Sequence, residues 1–226
     1  MYIDAFSLSA MVDEFMDTIV GGRVQDAIDV DQTGIGLEIY ANRRRQYLYL
    51  SADTVTPRLH VTEEKLRRGR AKPTQLGLLL RRFVEGGVLM HVSQPPFERI
   101  LHFHIDGPEG EIELVIEPME RRSNLLLLKN GVIMDCMRRV GADDNRYRVI
   151  LPNHAYVPPP PMTGKRDPFT INDDDLYGFF QQTQDPKRKA FQVLTGHLLG
   201  FSPLLAREIV FRASGHANQK VAEADP

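Results

Sequence analysis

Thiols are almost absent from this chain of 226 residues: Cys136 is the single cysteine. That excludes a disulfide framework and any structural zinc site built on several thiolates. A lone free thiol fits a reducing cytosol, so a cytoplasmic location is expected. No run approaches the ~20 consecutive apolar residues of a membrane span. The first ten residues lack the basic start and apolar run of a secretory signal. An excess of charge of either sign is missing too. Lys and Arg number 28 and Asp and Glu 30, for a formal net charge of −2. Such a chain is not a basic wrapper of nucleic acid, and any polyanion site has to be local. There is no Gly-x-x-x-x-Gly-Lys-Ser/Thr loop and no Gly-x-Ser-x-Gly elbow, and Gly34-Ile35-Gly36 lacks the third glycine of a dinucleotide site. No cofactor is expected. What is present is enough apolar side chain, 42% of the residues, to build a core and exclude wholesale disorder. The length fits one ordinary domain with an appendage, or two small ones.

The even total hides a polarised distribution. Residues 1–40 carry eight acids and one base, Arg23. Residues 41–82 carry eleven bases (Arg43, Arg44, Arg45, Arg58, Lys65, Arg67, Arg68, Arg70, Lys72, Arg81 and Arg82) against three acids. Two explanations stand side by side. One is a solvated face beside an acidic neighbour. The other is a phosphate-binding surface, because phosphate contacts are made mostly by Arg and Lys at no fixed spacing.

Periodicity predicts the elements. Apolar residues at three- and four-residue steps predict a helix from Leu8 to Val20, stopped by Gly21-Gly22. Alternation then predicts strands over 23–30, 36–40 and 46–52, an antiparallel meander. A short helix is expected over 63–68 and a clearer one over 75–84, ended by Gly86-Gly87. Strands follow over 88–93, 99–105, 111–117, 124–128 and 132–137, with hairpin connections at residues 106–110 and 129–131. Helix, glycine pair and strands thus occur twice, which suggests an α+β sandwich or barrel. Four prolines, Pro158 to Pro161, favour a stiff spacer and mark a domain boundary. Three helices are expected beyond it: 173–182, one capped by Asp185-Pro186 and running to about 199, and 203–213. Residues 199–203 between the last two have the shape of a helix–hairpin–helix, whose backbone N–H groups suit a phosphate, or of an ordinary helical hairpin. The expected domains are 1–157, a linker 158–169, a helical domain 170–214 and a frayed tail 215–226.

Histidine offers little chemistry. His102 and His104 share a strand face, but no third ligand is in view, so structural or surface roles fit better than a metal site. Cys136 sits in an apolar stretch and reads as a buried small hydrophobe rather than a nucleophile. The informative run is Gln94-Pro95-Pro96-Phe97-Glu98-Arg99-Ile100. Arg99 can offer a bidentate fork to a phosphate or a base edge, and Glu98 can accept from a base amino group or orient an arginine. Neighbours on a strand face opposite ways, so the two serve one ligand only where the backbone is irregular, as Pro95-Pro96 allows. A plain surface pair at a strand start is the alternative. In the polar run from Glu117 to Asn124, Ser123 and Asn124 fit an ordinary side-chain-to-backbone turn.

Several stretches together resemble the N-terminal domain of the NFACT family of bacterial ribosome quality control factors, long labelled fibronectin-binding protein A. They are Ile19-Val20-Gly21-Gly22-Arg23-Val24, Leu50-Ser51-Ala52 with Pro57-Arg58-Leu59-His60-Val61-Thr62, Leu78-Leu79-Leu80-Arg81-Arg82, the run 94–100, and Glu117-Pro118-Met119-Glu120-Arg121-Arg122-Ser123-Asn124-Leu125. Leu194 to Arg212 is similar to the family's helix–hairpin–helix module. The match spans nearly the whole chain, in order. It implies an α+β fold: a β-sandwich flanked by helices like that of formamidopyrimidine-DNA glycosylases, followed by a small all-α module of the helix–two-turn–helix kind. It implies binding to a large ribosomal subunit obstructed by peptidyl-tRNA, and recruitment of alanyl-tRNA to add a C-terminal alanine tail without a template.

The family's tRNA-recognition pair, usually Asp-Arg, falls on Glu98-Arg99, with one extra methylene of reach. A second tRNA-contacting acid falls on Glu117. Beside it stands Pro118, which has no N–H to donate. Glu120 and Arg122 replace the family's usual Gly and His next to Arg121. The tRNA-binding set is therefore Glu98, Arg99, Glu117, Pro118, Arg121 and Arg122. The candidates for backbone phosphates are Arg43, Arg44, Arg45, Arg58, Arg67, Arg68, Arg81, Arg82, Gly200 and Ser202. The expectation is a binding factor rather than an enzyme. A glycosylase of that fold uses an N-terminal proline amine, and position 2 here is Tyr2. A fibronectin-binding adhesin is the older alternative, opposed by the lone thiol and the missing secretion signal. The family's coiled coil and further domain do not fit in 226 residues, so a fragment or short form is expected.

Overall fold

Each predicted strand run is short and bounded by turn residues, and each becomes a strand in the computed structural model, which describes residues 3–223. Two units are distinguished by their internal contacts: residues 7–160, and residues 161–223 together with 3–6. The division falls between Pro160 and Pro161.

In the first unit, helix α1 (Ala5–Thr18, its first residues grouping with the second unit) precedes four strands: β1 (Arg23–Asp29), β2 (Gly34–Ala41), β3 (Arg44–Ser51) and β4 (Arg58–Thr62). Helix α2 (Gln75–Phe83) precedes five: β5 (Val88–Ser93), β6 (Leu101–Gly107), β7 (Gly110–Glu117), β8 (Asn124–Lys129) and β9 (Val132–Cys136). Turn chemistry sets the hairpins. Asn42 and Arg43 (φ 50° and 64°) join β2 to β3, and Asn130 and Gly131 (φ 53° and 72°) join β8 to β9. Two successive positive φ values give the tight turn whose twist matches that of the strands.

All nine strands form one antiparallel sheet in the order β4-β3-β2-β1-β5-β6-β7-β8-β9. The two helix-then-strand halves meet at their glycine pairs. Gly21 N–H bonds to Leu89 O (2.8 Å), Leu89 N–H to Gly22 O (2.9 Å), Val24 N–H to Gly87 O (2.9 Å) and Gly86 N–H to Val24 O (2.8 Å). A Cβ on Gly22 would lie 2.6 Å from Ile39 Cγ2, so the seam needs glycine there. Strands β2, β3, β7 and β8 bury successive residues, hence both faces. Strand β3 also packs on β8, six places away in the sheet. The sheet therefore doubles over on itself. This corrects the expected sandwich in one respect: the two layers are one continuous sheet.

The expected helix over 63–68 is absent; the segment is exposed coil after β4. The Thr62 hydroxyl does accept from Glu64 N–H (3.1 Å), but the charged segment offers almost no apolar face to bury. Beyond β9, residues 138–157 fold back over the sheet. Val140 bridges Ile150, Val132 bridges Ala155, and Ile150, Val140 and Tyr156 join Ile100, Val115, Leu126, Leu128, Ile133 and Cys136 in an apolar cluster.

The second unit is helical: α3 (Asp173–Gln181), α4 (Ala190–His197) and α5 (Pro203–Ser214) around Phe179, Phe191, Val193, Leu194, Leu198, Ala206 and Val210. Asn172 and Asp175 form a capping box at the start of α3. Helix α4 starts at Ala190, later than expected, because the Asp185 carboxylate accepts from Lys187 N–H (2.9 Å) and makes a turn instead. Residues 215–223 also differ from the expected frayed tail. They hold backbone bonds from Ala190 N–H to Gln219 O (2.9 Å) and from Val221 N–H to Arg188 O (2.8 Å). The end of that expectation, 224–226, lies outside the described residues, as does Tyr2.

Candidate nucleic-acid interface

Glu98 and Arg99 lie in a loop ahead of β6, which starts at Leu101, two residues later than expected. The loop turns at Pro95, with Glu98 N–H bonded to Pro95 O (3.0 Å) and Phe97 at φ 60°. The Gln94 side chain donates to Glu98 O (2.8 Å). Strand alternation thus does not apply to this pair. Arg99 is 31% exposed and its guanidinium lies 3.5 Å from the Glu120 carboxylate. Glu120 opens a single turn of 3-10 helix, Glu120–Arg122, so Arg99 rests against the segment that carries Arg121 and Arg122.

Arg121 and Arg122 are exposed, and they line a cleft of about 660 Å³. Sequence reasoning missed its other wall. Arg138, Arg139 and Arg146 line the same cleft, with Tyr147, Met119, Val140, Ile150, Pro159 and Pro160. Asp144 is its one acid. Arg139 reaches Asp135 (3.3 Å), and Arg138 donates to the Arg121 carbonyl. Among the described residues, Arg121, Arg122 and Arg146 form no ion pair. The signal for this wall was present only as Arg138-Arg139 and Arg146-Tyr147-Arg148, two short clusters with nothing in sequence to bring them together.

Glu117 and Pro118, expected at the tRNA contact, are buried in this structure. Glu117 is 0% exposed and takes a bidentate fork from Arg148 (2.7 and 2.5 Å) and the Tyr156 hydroxyl (2.8 Å). Arg148 also donates to Val157 O (3.1 Å). Burial alone favours the neutral guanidine, but the Glu117 carboxylate outweighs it and holds the Arg148 pKa above its ordinary value. Burial, together with the same carboxylate, pushes the Tyr156 hydroxyl far up. Glu117 therefore acts from beneath: it ties the 138–157 cover to β7 and fixes the floor of the cleft. Nothing in the linear sequence paired positions 117 and 148.

The Arg43–Arg82 block lies mostly elsewhere, and four of its eleven bases are held in ion pairs. Arg44 pairs with Glu63 (2.8 Å), Arg45 with Glu38 (3.3 Å), Arg68 with Asp26 (3.3 Å) and Arg82 with Glu109 (2.7 Å). Arg81 donates to Ala27 O (3.3 Å), and Arg58 sits 5.3 Å from the centre of the Tyr49 ring. Arg45, Arg68 and Arg81 share a shallow depression with Arg23, Asp26, Glu38 and Glu85, so its field is mixed. Arg43 and Arg67 are exposed in a turn and a coil. Arg70 alone of the block comes near the cleft, through a small pocket it lines together with Arg139. In the helical unit Gly200 and Ser202 are buried. The Ser202 hydroxyl donates to Asp4 (2.7 Å) and accepts from Leu205 N–H (3.0 Å), capping α5, so it is occupied where a phosphate was expected.

His91, His102 and His104 form a separate stack on β5 and β6 (ring centres 5.9 and 6.3 Å apart). His102 pairs with the Glu113 carboxylate, and Ser93 Oγ lies 3.1 Å from His104 Nε2. The hydrogen bond from His102 lowers the Glu113 pKa. Burial, with the neighbouring histidines, lowers that of His104. Among the described residues, no group of three or more His, Cys, Asp or Glu is placed to hold a metal ion. Cys136 is 5% exposed and its thiol is pushed up to about 11 by burial, which keeps it protonated at neutral pH.

The cleft is a concave surface on a folded antiparallel sheet, with several guanidiniums outside ion pairs in a chain of net charge −2. The chain belongs to the NFACT family: the model of its N-terminal and middle domains matches residues 4–226. It is 31% identical over 201 residues to the Rqc2 homolog RqcH of Streptococcus pneumoniae, covering 86% of this chain and 36% of that protein. It is 31% identical over 228 residues to the Rqc2 homolog RqcH of Bacillus subtilis, covering 97% and 39%. The chain thus spans little more than a third of the length of these relatives. The fold is similar to the N-terminal domain of the fibronectin-binding protein PavA from Streptococcus pneumoniae, with a TM-score of 0.80 and 28% identity over 94% of this chain and 80% of that one. No helix among the described residues is long and apolar enough to cross a membrane.

Proposed function

We propose that this chain is the RNA-gripping module of a ribosome quality control factor, acting in the cytoplasm as a binding protein rather than as an enzyme. Its ligand is a tRNA, with the phosphates held by Arg121, Arg122, Arg138 and Arg146. Arg99 and Glu98 contact the same RNA from the neighbouring loop. The partner assembly is a large ribosomal subunit carrying peptidyl-tRNA, to which alanyl-tRNA is brought for template-free alanine addition. On this reading the β-unit is the glycosylase-like fold without its nucleophile, and α4–α5 is the family's helix–hairpin–helix.

The observation that carries the proposal is the cleft: three guanidiniums without ion pairs in a chain of net charge −2. Membership in a family whose matched relatives are Rqc2 homologs supports it. The test is filter binding of tRNA across a salt series to wild type, Arg99→Ala and Arg121→Ala/Arg122→Ala. Each lost phosphate contact is expected to flatten the plot of log affinity against log salt by about 0.7–0.9. Equal affinity and equal slope in all three proteins would remove these residues from the site. The likeness to PavA keeps fibronectin as a second ligand to assay in parallel, and no binding to it is expected.

A further inference from the structure

We propose that the arginine cleft takes a single unpaired nucleotide of an RNA strand, with its base stacked on Tyr147 and its phosphates held by Arg121, Arg122 and Arg146. The proposal rests on the RNA-binding reading above and adds what part of the RNA enters.

Three observations lead to it. First, the cleft is of small-molecule size, about 660 Å³, inside the ~300–1,000 Å³ common for ligand sites. A duplex lies across such an opening; an unstacked nucleotide goes in. Second, the lining is not only cationic. Met119, Val140, Ile150 and two prolines face it, an apolar surface that a bare phosphate does not need and a base does. Third, Tyr147 is 54% exposed and lines the cleft beside Arg146. Exposed rings among guanidiniums are the platform on which unpaired bases stack, in a manner tolerant of sequence.

The platform is also preorganised. Asn145 Oδ1 accepts from Tyr147 N–H (2.9 Å), and the next residue, Arg148, is anchored on buried Glu117. The turn that presents the ring is thus held from both sides before any ligand arrives, which lowers the ordering cost of binding.

The test uses fluorescence anisotropy at low salt with four probes: a single-stranded RNA hexamer, the same hexamer with abasic sugars, a blunt RNA duplex, and adenosine monophosphate as competitor. Wild type is expected to bind the hexamer about 5- to 100-fold more tightly than the abasic strand, the span of stacking one base. Tyr147→Ala is expected to erase that preference and Tyr147→Phe to keep it, with duplex affinity and melting temperature unchanged in both. Equal wild-type affinity for hexamer and abasic strand overturns the inference and leaves RNA binding by the arginines in place. Adenosine monophosphate binding as tightly as the hexamer overturns it in favour of a free-nucleotide pocket. Loss of all RNA binding at low salt overturns this inference and the proposed function together.

Discussion

The stretch from Arg43 to Arg82 and the stretch from Arg121 to Arg148 are both rich in arginine, yet they present different fields. In the first, Arg44, Arg45, Arg68 and Arg82 each find a carboxylate, several of them from the acidic 1–40 region or from Glu109. In the second, Arg148 is buried on Glu117 while Arg121, Arg122 and Arg146 face a cleft with one acid. Exposed pairs are worth little to stability, about 0–1 kcal/mol each. Their effect is on the field: a matched arginine attracts a polyanion weakly, an unmatched one in a concave site strongly. Charge density along the chain is thus an incomplete guide: the sheet brings Asp26 and Glu38 onto Arg68 and Arg45, while in the cleft Asp135 and Glu117 take Arg139 and Arg148 and leave Arg121, Arg122 and Arg146 outside ion pairs.

The largest expected effect separates the floor of the cleft from its lining. Glu117→Ala leaves Arg148 charged and buried without its partner, at a cost of about 3–5 kcal/mol. Urea denaturation should show that loss. Unchanged stability with weakened tRNA binding would instead return Glu117 to the ligand. The next effect compares the two arginine stretches directly. Arg121→Ala/Arg122→Ala/Arg146→Ala should weaken tRNA binding at least about 10-fold and lower the salt slope by about 2–3, whereas Arg45→Ala/Arg68→Ala/Arg82→Ala should change affinity less than about 2-fold. Comparable losses in both would show that the paired block also grips RNA.

A smaller effect lies at the histidine stack, where pH acts on stability. Burial holds the His104 pKa below its unfolded value of 6.5, so the unfolded chain binds the proton more readily. Stability is therefore full above pH 6.5 and declines as pH falls below it. The depressed Glu113 carboxyl works in the same direction at lower pH, its stabilisation being lost as pH falls through its folded value. In thermal melts, His104→Gln should flatten the upper part of that decline. The smallest effect is at Cys136: with a thiol at about 11 and 5% exposed, the native protein should resist thiol-reactive dyes at pH 8 and react fully only when unfolded.

Strands, hairpins and the glycine stops were legible because each is a local decision. Alternation, Asn-Gly and Gly-Gly carry their geometry within a few residues. The short helix over 63–68 misled because charged residues at helical spacing mean nothing without an apolar face. The site was legible only where it was local, at the Pro95-Pro96 turn that places Glu98 and Arg99. Its far wall, Arg138 to Tyr147, depends on the 138–157 segment folding back over β9. That return is directed by a pair 31 positions apart, Glu117 and Arg148, which no period or motif announces. Ser202 was misplaced for a related reason: its partner, Asp4, is 198 positions away.

The glycine seam also decides how the polypeptide tolerates being cut. Apart from the single pairing of Arg23 with Val88 and the backbone bonds around it, every strand ladder is confined to β1–β4 or to β5–β9. A protease nick in the exposed 63–73 coil severs no ladder, and α2 remains packed on β1 across the break. Such a cut would leave each half's hydrogen-bonded ladder whole, and only side-chain packing and the glycine seam would hold the halves together.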